Sequence, residues 1–141
     1  MKKIVNLSFF YAILAMIAGV FYREFTKFND FTGVTTLGVI HTHLFTLGMI
    51  FMLIVAILEY ELHLKENRKF KAFMVVYNSG VIFATIMFLV RGIPQVLNKT
   101  LSSGLNAAIS GMAGISHFLL AIGIVLFFLI VKGALEKNTA E

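Results

Sequence analysis

Four long apolar runs separated by short polar segments organise the chain, at about Ile4–Phe21, Thr36–Glu59, Phe70–Val90 and Ile109–Val131. Each is close to the roughly 20 residues that a helix needs to cross a hydrocarbon layer. The pattern predicts an all-α protein with a single transmembrane domain over residues 1–141: an integral-membrane four-helix bundle. Short connections make successive helices antiparallel, up-down-up-down. Within the runs, Ala12, Ala15, Ala18, Gly19, Gly80, Ala84, Gly111, Ala113, Gly114, Ala121 and Gly123 supply the small residues that let membrane helices approach closely. The sole proline, Pro94, is read as lying between the third and fourth helices, in a polar stretch over Gly92–Ala108 with room for a short surface helix.

Composition strengthens this picture. The chain is 59% hydrophobic and only 13% charged, with a mean hydropathy of +0.90, far from the profile of a small water-soluble domain. A net charge of +5 would raise nucleic acid as a partner in a soluble protein. Here the cations sit at the ends of the apolar runs, so membrane topology accounts for them and no nucleic-acid partner is expected. Lys2, Lys3, Lys65, Arg68, Lys69, Lys71, Lys132 and Lys137 fall on one side, and Arg23, Lys27, Arg91 and Lys99 on the other. This asymmetry predicts a multi-pass protein of the cell membrane with both termini cytoplasmic. The opening Met1-Lys2-Lys3 and its apolar run have the look of a signal peptide. With no clear A-x-A site and three more spans following, the first helix is expected to be retained.

The chain has no cysteine. Disulfides, thiolate metal sites and covalent CxxCH attachment are therefore excluded, and any haem would be held non-covalently. No Walker A loop, Rossmann fingerprint or G-x-S-x-G elbow is present. The acidic residues Glu24, Asp30, Glu59, Glu61, Glu66, Glu136 and Glu141 fall at the ends of runs or in loops. That weighs against proton-coupled transport through intramembrane carboxylates.

Three histidines remain inside predicted spans: His41 and His43 in the second, His117 in the fourth. Ionisable side chains at such positions are costly and usually mark function. At about 1.5 Å per residue, His43 lies roughly 10 Å and His117 roughly 12 Å below the outer ends of their helices. Their depths match. His41 and His43, two residues apart, are separated by about 200° around the helix and cannot easily share one ion. Ala113, Gly114 and Ala121 strip bulk from the face around His117, and Gly48 does the same along the face of His41. Such faces leave room for a large flat ligand. The expectation is a haem b iron ligated by His117 with His43, or with His41 in its place. Arg91 and Arg23, at the outer ends of the third and first helices, are candidate propionate partners.

The segment His41-Thr42-His43-Leu44-Phe45-Thr46-Leu47-Gly48 resembles the H-x-H helix of haem–copper oxidase and nitric oxide reductase catalytic subunits. In that superfamily the two histidines serve different haems. The resemblance implies haem more than oxygen or nitric oxide reduction, because this chain has too few helices and lacks the further histidines that bind copper or non-haem iron there. Along nearly its whole length the chain also resembles an uncharacterised family of small four-helix membrane proteins of Gram-positive bacteria.

The functions expected are electron transfer with a quinol or respiratory-chain partner, redox or gas sensing, or haem handling. An enzyme, if it is one, would be a haem oxidoreductase. The outward-facing second imidazole allows a homodimer. Competing expectations are copper or zinc binding and transport, or a cofactor-free small subunit of a larger membrane complex. Histidines that merely join helices by hydrogen bonds are the plainer alternative. Tyr11, Tyr77 and Asn78 are expected to make interhelical hydrogen bonds, and His63 to be a solvated loop residue.

Overall fold

A computed structural model describes residues 1–138 and consists of helices, turns and short connections. Helix α1 spans Lys2–Phe28, α2 Thr36–Leu62, α3 Phe70–Val96 and α4 Ser103–Asn138. All four are long and apolar enough to cross a membrane. Each outruns its hydrophobic run, because the polar residues beyond the run are compatible with helix and nothing stops it. Pro94 is a correction to the sequence reading: it lies inside the last turn of α3. A proline there sacrifices one hydrogen bond near an end that is already fraying. The polar stretch before α4 holds no separate surface helix, since α4 begins at Ser103.

Residues in left-handed backbone stop the helices. Asp30 (φ 47°) ends α1, His63 (φ 49°) ends α2 and Asn98 (φ 52°) follows α3. At two of these ends the chain closes back over five residues, Phe31 N–H donating to Thr26 O and Lys99 N–H to Pro94 O, each at 2.9 Å. These bonds satisfy carbonyls that the last turn leaves free. His63 is exposed, as a solvated loop residue should be. Beside it Glu59 accepts from the Lys65 ammonium at 2.7 Å and from the Lys65 backbone N–H at 2.8 Å. That carboxylate raises the Lys65 pKa above its ordinary value.

Adjacent helices run antiparallel. Ser8 meets Met49 while Gly19 meets His41 across α1 and α2; Thr36 meets Phe88 while Leu47 meets Tyr77 across α2 and α3. Arg91 meets Ser110 while Tyr77 meets Gly123 across α3 and α4. Helices α3 and α4 pack closely. A Cβ on Gly123 would stand 2.8 Å from Tyr77 Cβ, and one on Gly80 would stand 2.9 Å from the Leu120 backbone nitrogen. Both positions therefore require glycine.

Buried and half-buried aromatic rings fill the half of the bundle nearer the termini. Phe51 of α2 lies 4.4 Å from Tyr77 of α3 and 5.1 Å from Phe127 of α4, ring centre to ring centre, with Phe73 5.4 Å from Phe127. Polar ties cross the middle: Tyr11 Oη donates to Asn78 Oδ1 at 2.7 Å, and Tyr77 Oη to the Leu47 carbonyl at 2.9 Å. The interhelical role expected for Tyr11, Tyr77 and Asn78 is thus observed. Phe9, Ile17, Val20, Val75, Phe118 and Phe128 instead project outward, more than half exposed. Large apolar side chains over the outside of the bundle suit lipid rather than water as the surrounding solvent.

Candidate functional site

The α2 and α4 helices meet through the Phe51–Leu62 segment, where Phe51 touches Phe127. No comparable packing joins the Thr36–Ile50 segment to α4 among the described residues. Toward the end away from the termini, the residue that links the two helices is Phe88 of α3. Its ring centre is 4.8 Å from His43 and 6.3 Å from His117, edge-on to both imidazoles at 67° and 78°. The structure therefore brings His43 and His117 against a common neighbour.

Their local geometry is the same. His43 Nδ1 lies 2.9 Å from the Val39 carbonyl oxygen, and His117 Nδ1 lies 2.8 Å from the Ala113 carbonyl oxygen, each four residues back. A carbonyl only accepts, so each Nδ1 carries a proton, and Nε2 is the ring nitrogen left for another partner. Each of these carbonyls takes a second hydrogen bond from the hydroxyl residue preceding the histidine. Thr42 Oγ1 donates to Val39 O at 2.8 Å and Ser116 Oγ to Ala113 O at 2.7 Å. The dipeptides Thr42-His43 and Ser116-His117 are thus two copies of one arrangement. Each fixes its ring through Nδ1–H and leaves Nε2 available, the arrangement in which a neutral imidazole ligates a metal.

His41 differs. It packs against α1, where a Cβ on Gly19 would lie 3.7 Å from its own Cβ. Its Nδ1 is buried without a hydrogen-bond partner. The residue before it is Ile40, which has no hydroxyl. It shares neither the neighbour nor the geometry of the other two.

Arg91 lies one turn beyond Phe88 on α3. It reaches α4 with Nη2, 2.6 Å from Ser110 Oγ and 3.4 Å from Asn106 Oδ1. Both partners are neutral, so no carboxylate offsets the guanidinium in these contacts. With Pro94, Gln95, Lys99, Leu101 and Asn106 it lines an open recess of about 190 Å³. Arg23 stays on α1, its exposed side chain 3.5 Å from Glu24. Next to His117, Gly111 and Gly114 would each admit a Cβ with nothing within 4 Å. That flank of α4 is clear of other parts of the chain. Among the described residues no group of three or more His, Cys, Asp or Glu gathers to hold a metal ion. A self-contained zinc or copper site, the competing expectation, lacks its ligands there.

The fold defines a class first: a four-helix membrane-protein bundle with two like-oriented imidazoles on its second and fourth helices. More particularly, the chain belongs to DUF2871, a family of proteins of unknown function, whose profile matches residues 1–134. No curated protein and no solved structure matches it.

Proposed function

We propose that the chain binds one haem b non-covalently through His43 and His117, and that it acts in one-electron transfer or haem handling within the membrane. The observation that carries this reading is the matched pair of imidazoles, each with Nδ1–H committed to a carbonyl and Nε2 free. Room for a macrocycle is favoured by the parting of α2 from α4 and by the small residues beside His117. His43 and His117 would hold the haem, which would supply one-electron redox chemistry there. The protein's part is to fix both rings through their Nδ1–H bonds and offer Arg91 to the propionates. Arg23 is a weaker candidate, because it stays on α1 beside Glu24.

The Lys and Arg asymmetry supports cytoplasmic termini in the cell membrane, with the histidine pair in the outer half. A quinol fits as electron donor by its solubility in the same membrane. Carbon monoxide tests the coordination. Added to the dithionite-reduced protein it is expected to leave the spectrum unchanged, because His43 and His117 together would leave no site for it. A shifted Soret band would mean an open iron and favour gas sensing.

A second reading is favoured by the bare flank of α4. Glycines at Gly104, Gly111 and Gly114 with nothing beside them suit close contact with another membrane helix. The partner would be a second copy of the chain or a larger complex in which this is a cofactor-free subunit. Colourless protein that co-purifies with a larger partner would favour the latter.

A further inference from the structure

The second helix changes its winding where its histidines end. It begins as a 3₁₀ turn over Thr36–Val39, makes one α turn over Ile40–His43, widens to a π-helix over Leu44–Ile50, and resumes as α over Phe51–Leu62. A π turn takes up a residue that a regular α-helix would have to pass along its length, and such turns concentrate at functional sites. One residue more or less in an α-helix turns everything beyond it by about 100° and shifts it by about 1.5 Å. The π turn therefore sets the direction of His43 relative to Phe51, which anchors α2 against α3 and α4. Wound as regular α through Leu44–Ile50, α2 would carry His43 away from Phe88.

The widened turn is held from both sides. Phe51 N–H would donate to the Leu47 carbonyl in a regular α-helix; here it points to Thr46 O and Gly48 O instead. Tyr77 Oη of α3 donates to Leu47 O at 2.9 Å, and Ser8 Oγ of α1 donates to Met49 O at 2.8 Å. Between them Gly48 is pressed against Tyr11, whose Cγ would lie 2.6 Å from an added Cβ. Tyr11 is itself tied to Asn78 of α3. Inside a membrane no water is at hand to take a displaced carbonyl, so a hydroxyl from a neighbouring helix is the available donor.

We infer that Ser8 and Tyr77 are positioning residues, which hold α2 in the π turn that aims His43 at Phe88 and α4. The role assigned to the aimed imidazole rests on the haem reading; the control of winding does not. The chain has no cysteine, so an introduced pair reports the winding directly. Thr36 and Gln95 touch across α2 and α3, with Thr36 Oγ1 3.4 Å from Gln95 Oε1, and Thr36→Cys with Gln95→Cys is expected to be cross-linked by a short bifunctional thiol reagent that spans the length of the lost glutamine side chain. Adding Ser8→Ala and Tyr77→Phe is expected to reduce that cross-link several-fold as the turn relaxes to α. Deleting the exposed Thr46 in the same background removes the surplus residue and is expected to restore it. A merely destabilising pair of substitutions would not be rescued by a deletion.

Deletion of Thr46 alone, with Ser8 and Tyr77 intact, is expected to keep the cross-link, and this arm stands even if the doubly substituted chain fails to fold. The inference is overturned if the cross-link survives Ser8→Ala/Tyr77→Phe, if the deletion does not bring it back, or if the deletion alone destroys it. Absorption spectra of the same proteins separate the two readings. With haem bound, the spectrum is expected to change and recover in step with the cross-link. A cross-link that responds in chains that never take up haem would uphold the positioning role and overturn the haem reading.

Discussion

Replacing His117 by alanine is expected to abolish the six-coordinate haem spectrum, His43→Ala to do the same, and His41→Ala to leave it in place. In both histidines the ring is fixed through Nδ1–H to a backbone carbonyl, and both contact Phe88. Alanine removes the proposed donor atom. The reduced visible bands should broaden or vanish, and carbon monoxide should now bind whatever haem is retained. His41 lies against α1 near Gly19, so its loss should alter packing without touching the pair. Spectra of the three variants, reduced and oxidised, check this. Equal loss in His41→Ala would place the second ligand there instead.

The second large effect is on stability. Gly123→Val is expected to separate α3 from α4, because the added Cβ would meet Tyr77 Cβ at 2.8 Å and Tyr77 Cα at 2.9 Å. Backbone cannot swing aside as the tip of a side chain can. Overpacking of this kind typically costs about 1–3 kcal/mol, and here it would also displace the Tyr77 hydroxyl from Leu47 O. Gly111→Ala is the matched control on the same helix. Its Cβ would meet nothing within 4 Å, and alanine favours helix over glycine by up to about 1 kcal/mol. Thermal inactivation in detergent should show Gly123→Val melting well below the parent and Gly111→Ala at or near it.

The four spans were legible because a membrane demands about 20 apolar residues from any helix that crosses it. Their ends were not. Hydrophobicity reports where lipid begins, whereas a helix stops only where the backbone turns, here at Asp30, His63 and Asn98. Pro94 was misread for that reason, since proline is tolerated so near a helix end.

For the candidate site, depth was legible and rotation was not. Counting residues from the run ends put His43 and His117 at one level, and both contact Phe88. Choosing between His41 and His43 needs the rotation of α2, which the π turn at Leu44–Ile50 resets. No average periodicity reveals a single widened turn. One local signal was open to reading: a hydroxyl residue precedes His43 and His117, while Ile40 precedes His41. A Thr or Ser there can donate to the same carbonyl that the histidine reaches, and in both places it does. Arg91 is joined to α4 through Ser110, a contact fixed by how α3 and α4 pack and invisible to spacing alone.

The most direct test of the account is the absorption spectrum of the detergent-purified protein, expressed with ample haem and recorded oxidised and dithionite-reduced, with haem quantified per chain. A Soret band, sharp reduced visible bands and one non-covalent haem per chain are expected. Colourless protein with no Soret band under those conditions would contradict the haem reading.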